Sequence, residues 1–117
     1  MATIYTQAGE EVVVDAIEAQ TACYIGWGTG AGTAAKGDTA LFTEAAETRI
    51  VGTETQPLAD KNQWVATITC NATPKTITNA GLFDAVTVGN LVIHGDFTGI
   101  ALAAGDKIEF TITLEQT

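Results

Sequence analysis

The 117-residue sequence contains no serine at all. A Ser-His-Asp triad is therefore excluded from the outset. It has one histidine, His94, and two cysteines, Cys23 and Cys70, which lie far apart and form no CxxC or Cys/His cluster. A nitrogen- and sulfur-ligated metal centre lacks the ligands it needs. Basic residues are equally scarce: Lys36, Arg49, Lys61, Lys75 and Lys107 stand against fourteen acids, for a net charge of −9. They are scattered, so no basic stripe exists to neutralise phosphates, and neither nucleic acid nor an anionic membrane is an expected partner. No apolar run approaches the roughly 18 residues of a membrane span. Met1 to Tyr5 shows no basic segment followed by an apolar one, so the expectation is a chain without a signal peptide, made in a cytosol.

Charge of either sign is thin, at 16% of residues, against about 25% in typical soluble domains. Thr and Ala fill much of the remainder. Such a surface suits a subunit that neighbours cover. The length gives one domain. At this size about two thirds of the unfolded surface is buried on folding, enough for a core without staples. The two cysteines read as buried free thiols, with a disulfide between them as the alternative.

From Arg49 onward the pattern is β. Ile108, Phe110, Ile112 and Leu114 alternate with Lys107, Glu109, Thr111, Thr113 and Glu115, which predicts a strand with one wet face. Leu91, Ile93 and Phe97 share a face of a second strand, with His94 and Asp96 on the other, pointing outward. Trp64, Ala66, Ile68 and Cys70 form the apolar face of a third. Ile77–Phe83, Arg49–Gln56 and Tyr24–Gly28 are three further candidates. Asn71–Lys75 predicts a hairpin between the third and fourth runs. Val88-Gly89-Asn90 and Ala104-Gly105-Asp106 are turn signals. The sum is an all-β fold, a β-sandwich or jelly roll over residues 21–117.

The first twenty residues form an N-terminal arm or short helix. Over Glu10–Gln20 a helix would place Val13, Ala16 and Ile17 on one face, whereas Val12-Val13-Val14 favours a strand. Gly28–Gly37 reads as a long surface loop. Its glycines resemble a nucleotide-binding loop only superficially, because no apolar helix follows and Lys36 precedes Gly37 rather than Ser or Thr. Carboxylate pairs such as Glu44 with Glu47 read as solvated, and the loop aspartates lack calcium-loop spacing. No catalytic residue, cofactor site or metal site is expected, and the chain does not read as an enzyme. Trp27 and Trp64 read as core or subunit-contact groups.

Tyr24-Ile25-Gly26-Trp27-Gly28-Thr29-Gly30, then Asp38-Thr39-Ala40-Leu41, Glu44 and Arg49, resembles a recurrent pattern of small tailed-phage structural proteins. Ile77-Thr78-Asn79-Ala80-Gly81-Leu82-Phe83-Asp84 resembles their second block, with Asn79-Ala80 in place of an acidic and a β-branched residue. His94-Gly95-Asp96-Phe97-Thr98 and the Gly105-Asp106 turn match the ending. The likeness covers about residues 23–117. It implies a capsid decoration (cement) protein, or a tail-fibre or tail-tip module that binds a host receptor. Both are sandwiches that assemble, often as trimers.

Decoration is the first expectation, since 117 residues leave no room for a fibre shaft or receptor-binding head. It would stabilise the shell by binding only its assembled form. The implied partners are the major capsid protein and further copies of the chain, and the implied location is the capsid surface of the virion. An exposed aromatic cluster at Trp27 or Trp64 would favour the fibre reading instead. The residues expected to carry structure or contacts are Tyr24, Trp27, Gly28, Gly30, Arg49, Trp64, Gly81 and Phe83. The glycine loop is expected to pack against a strand or a neighbouring subunit. Gly81 should admit Leu82 and Phe83 to the core, and Arg49 should pair with Glu44 or Glu47.

Overall fold

The computed structural model describes residues 3–18 and 22–115. One helix, α1 (Gln7–Glu18), precedes seven strands: β1 (Tyr24–Gly28), β2 (Ile50–Val51), β3 (Thr53–Leu58), β4 (Lys61–Thr69), β5 (Lys75–Phe83), β6 (Leu91–Leu102) and β7 (Lys107–Glu115). They form two antiparallel sheets, a four-stranded β2-β1-β5-β6 and a three-stranded β3-β4-β7. The all-β sandwich is thus observed. Trp27, Ile25 and Leu82 from the first sheet meet Trp64, Ile68 and Ala66 from the second, and Trp27 stands edge-on to Phe110 at 6.2 Å. Both tryptophans are 1% exposed, so the exposed aromatic cluster is not found and they serve the core. Cys23 and Cys70 are buried and free, and burial followed by the charges of Glu54 and Asp84 pushes the Cys23 thiol up.

The helix alternative holds for the N-terminal segment. Thr6 caps it: its Oγ1 accepts from the Gly9 amide at 3.1 Å and its carbonyl from Glu10 at 2.9 Å. The buried face is not the expected one. Val14 is fully buried and Asn62 donates to its carbonyl at 3.0 Å, while Val13 and Ala16 face outward. Ile17 alone of the expected trio packs on the core. The helix also begins three residues earlier than expected. The end of the expected span, residues 19 and 20, lies outside the described residues.

Two connections differ from expectation. Asn71–Lys75 is no hairpin; it carries the chain from one sheet to the other, because β4 and β5 lie in different layers. The end of β4 is already paired: the Cys70 amide donates to Asp106 at 2.7 Å and its carbonyl accepts from Gly105 at 2.9 Å. A five-residue link easily spans the ~10 Å between layers. Likewise Arg49–Gln56 is not one strand. It breaks at Gly52, with β2 in the first sheet and β3 in the second. A Cβ on Gly52 would lie 3.0 Å from Trp64 Cβ, so the backbone crosses between layers against that indole. By contrast Val88-Gly89-Asn90 closes the β5–β6 hairpin, with Val88 and Gly89 both at positive φ.

Candidate functional site

The inner face of the first sheet is core. Its outer face carries the residues that the sequence patterns single out. β1 and β5 pair as Tyr24↔Phe83, Gly26↔Gly81 and Gly28↔Asn79, and β6 adds His94 opposite Gly81 and Asp96 opposite Asn79. Successive residues of a strand point to opposite faces. Gly26, Gly28 and Gly81 therefore strip one face of side chains just where Ile25, Trp27, Ala80 and Leu82 fill the other.

The segment between β1 and β2 lies in that trough. A Cβ on Gly81 would come within 2.8 Å of Leu41 Cδ2 and 2.7 Å of Leu91 Cδ1; one on Gly28 would sit 2.5 Å from the Phe42 carbonyl. The close approach is fastened by backbone bonds: Gly30 N–H to Phe42 O at 2.8 Å, Thr29 N–H to Thr43 O at 3.0 Å and Ala45 N–H to Trp27 O at 3.0 Å. Asn79 then treats Phe42 as a strand neighbour would. Its Oδ1 accepts from the Phe42 amide at 3.0 Å and its Nδ2 donates to the Phe42 carbonyl at 3.1 Å. The amide that replaces an acid in the second block is thus the clamp of the loop. A carboxylate could accept there but could not donate.

His94 extends the clamp. Its side chain is only 4% exposed, contrary to the outward placement read from strand alternation. Alternation does put it on the outer face, but the loop covers that face, so outer is not wet. Nδ1 lies 2.7 Å from Asp38 Oδ2 and Nε2 lies 3.0 Å from Asn79 Oδ1, under a tilted Phe42 ring at 4.7 Å. Both ring nitrogens are thus engaged, one by a carboxylate and one by an amide. The Ala35 N–H and then His94 hold the Asp38 carboxyl below its ordinary value. Asp96 accepts from the Ala34 amide at 2.6 Å. The cleft beside this pair, about 300 Å³, is lined by Ala35, Lys36, Asp38 and His94 among others. Neither serine nor cysteine lines it: serine is missing from the chain, and both thiols belong to the core.

Arg49 closes the other end. Its Nε and Nη2 fork onto Glu44 at 2.8 and 2.9 Å, and Nη1 donates to the carbonyls of Ala85 and Val88 at 3.0 and 2.7 Å. The guanidinium lies 3.4 Å from the centre of the Phe83 ring, which burial of Arg49 to 8% exposure makes a desolvated cation–π contact. Of the two partners expected for Arg49, Glu44 is the one found. Glu47 has its own task. It accepts from Trp27 Nε1 at 3.0 Å and the Asn71 amide at 3.0 Å, and it pairs with Lys75. Burial alone would raise its carboxyl, but the Asn71, Lys75 and Trp27 bonds outweigh this and hold it at about 2.

Of the eight residues singled out from sequence, Trp27 and Trp64 lie in the core. Tyr24, Gly28, Gly30, Arg49, Gly81 and Phe83 lie on or against the covered face. As expected, the glycine loop packs on a strand of its own chain: the Thr78 hydroxyl of β5 donates to the Gly30 carbonyl, while Gly30 and Gly32 lie against Phe42, and Leu82 is buried beside Gly81. Sequence reasoning gives no role to Leu41, Phe42, Asn79 or Asp38. The available signal is Gly26 and Gly28 at period two opposite bulky Ile25 and Trp27, since a face stripped in that way must be covered.

The arrangement clamps the loop onto the outer face of the sheet. The comparisons agree with a structural protein. Residues 12–115 match the family model described as podophage GP4 fiber I protein gp80. Among curated proteins none matches the chain. The match covers almost the whole sandwich and part of α1, and it makes the chain a small tailed-phage structural protein of the fibre kind, carried in the virion. The chain belongs to the podophage GP4 fiber I protein gp80 family.

Proposed function

We propose that this protein is a subunit of a phage tail fibre and works by binding rather than by catalysis. The family description, which names a fibre protein, carries this reading. It supports the fibre over the capsid decoration protein that the short length first favoured. A fibre assembled from several short chains needs no shaft or head in each of them. The structure supports a binding role in a second way. The titratable groups of the covered face are spent on one another, whereas Val12, Val51, Leu58, Val92 and Ile100 remain exposed apolar groups on the surface. The partners are other virion proteins, further copies of the chain, and a receptor on the host.

Antibodies against the recombinant protein, applied to whole particles and viewed by electron microscopy, test the assignment. The expected label is on the tail fibres, and purified protein should bind host cells without sedimenting with undecorated capsids. Label spread over the capsid faces, with co-sedimentation, would instead establish a decoration protein.

A further inference from the structure

The clamp leaves one carboxylate oxygen over. Asp38 turns Oδ2 to both of its partners, the Ala35 amide at 2.8 Å and His94 Nδ1 at 2.7 Å. Its Oδ1 has no partner among the described residues, although the side chain is only 19% exposed. Lys36, nearby in the same loop, is exposed and makes no ion pair or hydrogen bond among the described residues. Both line the cleft of about 300 Å³ beside His94, together with Ala35 and, from β6, Leu91 and Val92. That volume lies at the small end of ligand pockets, which run from roughly 300 to 1,000 Å³. The cleft of about 270 Å³ beside Arg49 differs, because its Glu44, Glu47 and Arg49 are all bonded within the chain.

The two free groups are of opposite kind, and that narrows the ligand. A carboxylate only accepts and an ammonium only donates. A lone anion would meet Lys36 but be repelled by Asp38 and by the net charge of −9. A lone cation would meet Asp38 but be repelled by Lys36. A neutral sugar escapes both penalties. Its neighbouring hydroxyls each donate and accept, and the C–H face of its ring can lie on Leu91 and Val92. The acceptor is ready for it: the Ala35 amide and then His94 fix the Asp38 carboxylate and favour its ionised form. A group already oriented loses little freedom when a hydroxyl arrives.

We propose that this cleft is a carbohydrate site for one neutral pyranose, with Asp38 Oδ1 accepting from one hydroxyl and Lys36 Nζ donating to the next. One ring with so few polar contacts is held weakly, with a Kd of about 1 mM. The sugar belongs to a glycan of the host surface. That source rests on the fibre reading, whereas the chemistry of the cleft does not.

Amide chemical shifts of the labelled full chain test the site. The probes are the methyl glycosides of glucose, galactose, mannose, rhamnose and N-acetylglucosamine, each at millimolar concentration. At least one should move the Ala34, Ala35, Lys36 and Val92 amides and leave those of β4 in place. Asp38→Asn keeps an oxygen for the Ala35 amide and His94 but turns an NH2 to the cleft, so affinity should fall at least about tenfold. Lys36→Ala removes an exposed, unpaired group and should cost roughly fivefold with no change in melting temperature. Lys107→Ala, on β7, should bind as the wild type does. No shift with any glycoside, or a loss in Lys107→Ala equal to that in Lys36→Ala, would overturn the proposal. So would the same amides moving with inorganic phosphate or free alanine but with no sugar. The glycoside that binds should also displace the protein from host cells; displacement by none of them would remove the host glycan as the source. Sugar binding together with antibody label on the capsid would keep the site and discard the fibre. Label on the fibres without sugar binding would do the reverse.

Discussion

Arg49→Met should lower stability by about 3 kcal/mol, and the melting temperature by roughly 10 °C. The guanidinium makes four bonds to two other segments: the loop through Glu44, and the β5–β6 turn through Ala85 and Val88. Methionine can fill the space over Phe83, but it leaves the two carbonyls without a donor and the carboxylate without its charge partner. Glu44 is a third exposed and regains some water, which keeps the loss at the low end for a broken buried pair. Arg49→Lys should recover less than half of the loss. A single ammonium cannot fork onto Glu44 while also reaching both carbonyls and lying flat on a ring. Thermal unfolding of the three proteins decides this; a change below about 1 kcal/mol for Arg49→Met would show that the turn does not depend on the fork.

Glu47→Gln should cost about 2 kcal/mol near neutral pH, and it should change how stability depends on acid. Glu47 is the junction of β1, the loop and the β4–β5 crossover, through Trp27, its own segment, Asn71 and Lys75. Gln removes the charge that faces the Lys75 ammonium, 11% exposed, and its NH2 must replace one of the two accepting oxygens, facing the donor either of Trp27 or of Asn71 and Lys75. The folded carboxyl titrates at about 2 and the unfolded one at its ordinary 4.5. Between those values the unfolded chain binds more protons. The stabilisation from Glu47 is therefore present above pH 4.5 and is lost as pH falls through 2. Asp38 and Asp84 are also lowered, and they contribute in the same direction in both proteins. The difference between wild type and Glu47→Gln isolates the one group. It should shrink from about pH 5 to about pH 2 in urea titrations; a constant difference would contradict the assignment.

The strands are legible in the sequence where one face is core and the other is water. β7 and β4 follow their alternation almost residue for residue. The layers are not, because alternation assigns a face but not a sheet. Asn71–Lys75 looks like a hairpin until the end of β4 is seen to pair with the Gly105-Asp106 turn instead. Gly52 splits a run of β-branched residues that reads as continuous. The same limit explains His94. Period two puts it opposite Ile93 correctly, and only the third layer, a loop held on stripped glycines, removes it from water. The short motifs do identify the members of the covered face in their chain order. What they leave open is which parts touch. Asn79 meets the Phe42 backbone from 37 positions further along the chain, and no local pattern encodes that contact.

The same residues explain the division of labour. A glycine trough, one amide, one imidazole and one guanidinium convert the segment between β1 and β2 into part of the rigid body. Under the proposed binding role, contacts with other proteins would fall to the exposed edges and apolar side chains. Hydrogen exchange of individual amides is the most direct measurement. The Gly30, Phe42 and Ala45 amides should exchange as slowly as those of β4, at the rate of global unfolding. Exchange of these three in seconds, at loop rates while β4 stays protected, would show that the segment is not clamped to the sheet.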